Sequence, residues 1–317
     1  MKYFFTILLL SNLFCPPLIG YTQNNSGSPV YFGDPFILLH DGTYYAYGTG
    51  AADGISVYVS QDLETWKKPE GVPGGLALSK ADVWGDRWFW APEVYYRNGR
   101  FYMYYSADEH ICVATSDSPL GPFRQEVRRP MIEGEKTIDN SLFIDDDGKA
   151  YLFFDRFNDG LNIWVAELTS DLLNIKSETM HKCIATSQAW EEVHPRVNEG
   201  AFVIKHKGTY YLTYSANSYE SPFYGIGVAT TRDIMGEWTK YDHNPICQKV
   251  NGLVGIGHSA LFKDKSGTLR IVFHSHKDQT HIHPRIMHIG RVEFKNVNGR
   301  EIMTIPPEFL TPRLLNA

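Results

Sequence analysis

Three acids and a histidine recur at one place in an internally repeated sequence. Asp34 stands eight residues before a turn glycine, Gly42, while Asp139, Glu199 and His258 stand nine before Gly148, Gly208 and Gly267. The corresponding residue of the second repeat is Trp90, nine before Gly99, within Trp90-Ala91-Pro92-Glu93. Carboxyl groups drawn from distant parts of a chain into one partly desolvated pocket repel one another, so at least one pKa rises and the set separates into ionised and protonated members. Two opposed carboxyl groups in those states suit glycoside hydrolysis, in which one protonates the leaving oxygen and the other activates water or attacks the anomeric carbon. A separation of about 6.5–9.5 Å leaves room for the water and gives inversion, whereas about 5 Å gives retention. A single acid at a strand start, such as Asp145, Asp146 or Asp147 near the third turn, is accounted for by turn hydrogen bonding. Three aligned acids are not.

The repeat itself names the elements that must position these groups. Asp41–Thr49, Asn98–Ser106, Asp147–Asp155, Lys207–Ser215 and Ser266–His274 each run from a turn glycine through an aromatic-rich strand to a closing Thr, Ser, Asp or His. Asp-Gly, Asn-Gly and Ser-Gly between two β-like runs are hairpin signals. A third strand follows, opening at Ile55, Ile111, Ile163, Ile226 and Ile286, and a fourth, weaker stretch carries Trp66, Phe123 or Trp238. Glycine spacings of 57, 49, 60 and 59 residues accommodate four short strands and no long helix. The pattern predicts an all-β chain, a five-bladed β-propeller with four antiparallel strands per blade, whose innermost strands line an axial tunnel and set equivalent positions face to face.

Residues 1–20, with Lys2 before an apolar run and Gly20 near its end, read as a signal peptide, 21–28 as a flexible N-terminal segment and 29–317 as a single propeller domain. The apolar run is too short to span a membrane, and Phe14 before Cys15 argues against a lipid anchor. An exported monomer, periplasmic or extracellular, is expected. Cys112, Cys183 and Cys247 have no CxxC spacing, which excludes a metal knuckle or redox pair. With 30 basic and 36 acidic residues the net charge is −6, which disfavours a nucleic-acid partner and suits a neutral or weakly charged ligand. The 14% aromatic content serves β-structure and sugar stacking alike.

The segments Gly33-Asp34-Pro35-Phe36, Trp90-Ala91-Pro92-Glu93-Val94, Ile138-Asp139-Asn140-Ser141-Leu142-Phe143, Glu199-Gly200-Ala201-Phe202 and Gly257-His258-Ser259-Ala260, in this order, resemble family 43 glycoside hydrolases over about residues 29–295. The resemblance implies a five-bladed propeller that acts with inversion on arabinose- or xylose-containing plant glycans and needs no cofactor for its chemistry. By position it implies Asp34 as general base, Glu199 as general acid and Asp139 as the acid that orients substrate and keeps the donor's pKa high. His258 matches an axial histidine that in related enzymes holds a metal ion, often calcium, or its water shell, and Arg285 an arginine near the acid. Asn140 departs from the pattern, since many relatives carry proline there. The related five-bladed fructosidases are disfavoured because their Asn-Asp-Pro-Asn and Glu-Cys motifs are absent. An α-L-arabinofuranosidase is the leading expectation, with β-xylosidase, endo-arabinanase and a non-catalytic sugar-binding propeller as the alternatives. Galactose release, found in branches where the base differs from Asp, is disfavoured by Asp34.

Trp90 has positional support as a sugar platform, whereas Trp84, Trp88 and Phe89 are equally explained by packing between blades. Tyr219, Phe223 and Tyr224 follow the fourth inner hairpin and are placed to rim a pocket, with Tyr219 the substrate-binding candidate. His274, His276, His281, His283 and His288 match no zinc spacing, and His274 and His276 read as strand packing. No Gly-rich phosphate loop or GxSxG elbow appears, so phosphoryl transfer, hydride transfer and serine hydrolysis lose their usual support.

Overall fold

The computed structural model describes residues 27–315 except His194; the expected signal peptide lies outside the described residues. Blade one follows a short strand, β1 (Gly27–Pro29), and comprises β2 (Gly33–His40), β3 (Thr43–Thr49), β4 (Gly54–Ser60), β5 (Thr65–Lys67) and the side strand β6 (Leu76–Ser79). Blade two holds β7 (Trp90–Arg97), β8 (Arg100–Ala107) and β9 (His110–Ser116). Blade three is β10 (Thr137–Ile144), β11 (Ala150–Phe157), β12 (Leu161–Glu167) and β13 (His181–Ile184). Blade four is β14 (Asn198–His206), β15 (Thr209–Ala216), β16 (Gly225–Thr231) and β17 (Thr239–Lys240). Blade five has β18 (Gly257–Lys263), β19 (Leu269–Ser275) and β20 (Ile286–Arg291). A hairpin of β21 (Glu293–Val297) and β22 (Arg300–Thr304) precedes the last strand, β23 (Arg313–Leu315).

Four strands per blade hold for blades three and four only. In blades two and five the fourth stretch shrinks to one antiparallel bridge, Thr115 to Arg124 and Ile289 to Leu310. Blade one is instead widened: β23 pairs in parallel with β5, and β1 pairs with β23. Gly27 and Ser28, expected in the flexible segment, are therefore strand residues. This edge also ties the last blade to the first, because Met287 N–H donates to the Val30 carbonyl.

Neighbouring innermost strands pack in a closed cycle, β2 on β7, β7 on β10, β10 on β14, β14 on β18 and β18 on β2. Phe36 meets both Tyr95 of blade two and Phe202 of blade four, so aromatic side chains come together across the axis beneath the strand heads. Burial of such rings is the principal stabilising term in a helix-poor molecule.

Each innermost strand has a bulge at its head, where register slips between Gly33 and Phe36, Trp90 and Glu93, Ile138 and Ser141, Glu199 and Phe202, and Gly257 and Ala260. One residue per bulge is left-handed: Asp34 (φ 48°), Ala91 (45°), Asp139 (58°), Gly200 (61°) and His258 (50°). That conformation removes the amide from its own ladder, and the amide must find another acceptor. All five donate to the residue that closes the second strand of the preceding blade. Asp34 N–H reaches His274 Nδ1 (3.1 Å), Ala91 Thr49 Oγ1 (2.9 Å), Asp139 Ser106 Oγ (3.0 Å), Gly200 Asp155 Oδ2 (3.1 Å) and His258 Ser215 Oγ (2.7 Å). The closing residue of each sequence repeat is thus the acceptor that locks one blade onto the next.

Candidate active site

The bulges correct the sequence alignment. Asp34, Asp139 and His258 do share one structural position, but Gly200 holds it in blade four and Ala91 in blade two. Glu199 and Trp90 sit one residue earlier. The third and fifth hairpins have five-residue loops where the others have two, so counting back from the turn glycine shifts the register by one. A Cβ on Gly200 would lie 3.1 Å from the His258 ring, which keeps this position small.

Asp34 is buried and gripped from several sides. Arg285 donates through Nη1 to Oδ1 (2.7 Å) and through Nη2 to Oδ2 (3.1 Å), and Thr49 Oγ1 donates to Oδ2 (2.6 Å). His258 Nδ1 and His274 Nδ1 each stand 3.4 Å from Oδ1. Burial alone would raise this carboxyl, but the Arg285 guanidinium, the two imidazoles and the Thr49 hydroxyl outweigh it and hold the group well below the ordinary carboxylate range.

Glu199 is pushed the other way. Burial, with the nearby Asp34 charge, carries it up to about 7, against the Tyr224 hydrogen bond and the Arg285 charge. Tyr224, fully buried, donates its hydroxyl to Glu199 Oε1 at 2.7 Å, and its ring stacks on His274 at 5.7 Å. Asp139 is raised well above the ordinary range by burial and by the charges of Glu199 and Asp34, and it shares a hydrogen bond with the fully buried Asp155. Two carboxyls in such contact retain a proton between them. Beside burial, the charge that raises Glu199 is that of Asp34, and the Asp139–Asp155 pair, holding a proton between them, interacts electrostatically with Glu199 as well.

Arg285, Trp90 and Tyr219 join the same region. Trp90 and Arg285 line a cleft of about 740 Å³ together with Gly33, Thr49 and Trp88, and Arg285 lies 4.9 Å over the Tyr219 ring. Phe223 does not join it; its ring is exposed under Lys249. Tyr224, expected at a rim, lies beneath Glu199 instead. Thr49, Asp155 and His274 belong to the site as well, and the signal for them in the sequence is that each closes a repeat. His274 is not mere strand packing, since it accepts the Asp34 amide on Nδ1 and is kept neutral by burial and the Arg285 charge.

The possible calcium near His258 finds few uncommitted protein oxygens there. His258 Nδ1 turns toward Asp34 and Asp139 (3.4 and 3.8 Å), and both Asp34 oxygens are engaged by Arg285. A hard cation wants uncommitted oxygens, and among the described residues no three His, Cys, Asp or Glu side chains are grouped to hold a metal. The three described cysteines are unpaired, and no helix among the described residues is long and apolar enough to cross a membrane.

The sequence model for glycosyl hydrolases family 43 matches residues 27–297. A solved structure named as an endo-1,4-β-xylanase from Bacteroides thetaiotaomicron VPI-5482 is 46% identical, covers 91% of this chain and 98% of its own, and superposes with a TM-score of 0.86. A β-D-galactofuranosidase of Aspergillus niger is 25% identical over 81% of this chain and 79% of its own. A xylosidase/arabinosidase of Humicola insolens is 26% identical over 76% of this chain and 96% of its own.

Proposed function

The chain belongs to glycosyl hydrolases family 43, and from that premise we propose that it is an exported, inverting α-L-arabinofuranosidase that removes terminal arabinose from plant glycans. The carrying observation is the opposite displacement of two carboxyls: the buried Asp34 stays ionised and the half-buried Glu199 stays protonated up to about 7. In this reading Asp34 draws the proton from a water that attacks the anomeric carbon. Glu199 gives its proton to the departing oxygen, so neither charge has to be created in the transition state. Asp139, hydrogen-bonded to Asp155, orients a sugar hydroxyl, and Trp90 and Tyr219 line the sugar's approach. A sugar-binding module has no use for a proton donor, which counts against the non-catalytic alternative.

The experiment is hydrolysis of aryl α-L-arabinofuranoside, β-D-xyloside and β-D-galactofuranoside, with the first-formed anomer read by NMR. Release of arabinose with inverted configuration is expected; exclusive xyloside cleavage or a retained anomer overturns the reading. A second reading has its own support in the galactofuranosidase relative. β-D-Galactofuranose has the ring stereochemistry of α-L-arabinofuranose with one more hydroxymethyl carbon, so a pocket open beyond C5 would accept both.

Two variants test the supporting contacts. Tyr224→Phe removes a hydrogen bond that favours ionised Glu199, so the donor's pKa rises and the alkaline limb of kcat/KM moves up by about half to one pH unit. A limb that stays in place refutes the role of Tyr224. Gly33→Ala sets a Cβ 2.1 Å from the Arg285 guanidinium. Displacing that cation from Asp34 should lower kcat/KM by about a hundredfold and move the acid limb upward, because Asp34 loses the charge that holds its pKa down.

A further inference from the structure

The cleft beside the acids is larger than one pentose ring can fill, at about 740 Å³, and it shares Gly33, Thr49, Trp90 and Arg285 with the site. An occupant is therefore continuous with the sugar being cut. In a chain of net charge −6, its lining contains Arg87, His283 and Arg285 and, among the described residues, no aspartate or glutamate. Arg285 is committed to Asp34 through both terminal nitrogens. Arg87 is not: it bonds Asp108 Oδ1 through Nε alone (2.9 Å), and its side chain is 64% exposed.

That guanidinium is held in place. It lies 4.0 Å over the Trp88 ring, which stacks on Trp90 at 5.6 Å with an interplanar angle of 18°. Asp108 is fixed in turn, its Oδ2 accepting the Asp86 amide (2.8 Å) and its own amide donating to the Arg87 carbonyl (3.0 Å). Trp88 adopts φ 56° and is 41% exposed, an uncommon backbone for a bulky residue that persists only where its surroundings impose it. Packing does not account for a ring left this exposed. Bonding through Nε leaves the two-nitrogen edge of the guanidinium free among the described residues, and that edge matches a carboxylate in a bidentate pair.

We infer that Arg87 on its Trp88–Trp90 stack forms a leaving-group subsite for a sugar ring that carries a carboxylate, so that the substrate is a pentose attached to a uronic acid-bearing glycan. This rests on the glycosidase reading above and adds the charge of the leaving group to it. Trp88 supplies a ring edge for the sugar, and Arg87 pairs with the uronate.

The test uses matched oligosaccharides, one with a uronic acid as leaving group and the other its methyl ester, on the wild type, Arg87→Gln and Arg87→Lys. The readout is the acid-to-ester ratio of kcat/KM, expected at about five- to tenfold in the wild type, carried by KM and falling with added salt. Both variants should bring it toward one, with Lys retaining part because it offers a point charge without the fork. A ratio near one in the wild type, or an undiminished ratio in Arg87→Gln, overturns the inference. Hydrolysis of the ester reports on the glycosidase reading alone. If neither compound is cleaved, calorimetric titration with the two ligands still decides: equal affinities refute the subsite.

Discussion

Replacing Asp34 with asparagine should abolish turnover of every glycoside, activated or not, with a loss in kcat of about a thousandfold or more, since water still needs a base however good the leaving group is. Azide needs no such help, and its addition should restore cleavage of an aryl glycoside and yield a glycosyl azide of inverted configuration. The variant also leaves the Arg285 guanidinium, only 9% exposed, facing a neutral amide. Removing one partner of a buried pair costs about 3–5 kcal/mol, so the melting temperature should fall and the assay belongs well below it. Turnover within tenfold of the wild type, in a folded sample, would remove Asp34 from the role of base.

The second large effect depends on the substrate. Glu199→Gln should leave an activated aryl glycoside nearly unaffected in its bond-breaking step while lowering kcat on a natural oligosaccharide by about 10²–10⁴-fold, because only the poor leaving group needs a proton. The sign of the pH dependence follows from the two shifts. Glu199 acts when protonated, so kcat/KM on oligosaccharide falls as pH rises through about 7. Asp34 acts when ionised and is held well below its usual range, so the acid limb lies at low pH. The Gln variant should lose the alkaline limb and keep the acid one. Equal losses on both substrate classes would undo the assignment.

Much of this arrangement is legible in one sequence because a propeller writes its architecture as a repeat. The turn glycines and the Ile-led third strands mark the blades, and the closing Thr49, Ser106, Asp155, Ser215 and His274 turn out to be the inter-blade acceptors. What the repeat does not convey is register within a bulge. Gly200, not Glu199, is the equivalent of Asp34, and only the hairpin pairing reveals that two loops are longer. Side-chain partnerships are also hidden: the proton shared by Asp139 and Asp155 and the Tyr224 hydroxyl on Glu199 arise inside blades three and four from the bulged register, whereas the neutral His274 meets Asp34 because blade five closes on blade one. The strand count fails where the outermost stretch has too few pairing residues, as at Arg124 and Leu310.

The contacts that tune Asp34 join residues 240 and 251 positions apart, His274 and Arg285 respectively. During synthesis the amino-terminal acid emerges long before either partner exists, and contacts of such sequence separation form late because their loop entropy must be met first. Proton chemistry at Asp34 is thus a property of the finished circle, switched on by the last joint to close. Onset of hydrolysis during refolding would accordingly time ring closure, and a chain stalled before its fifth blade would be silent.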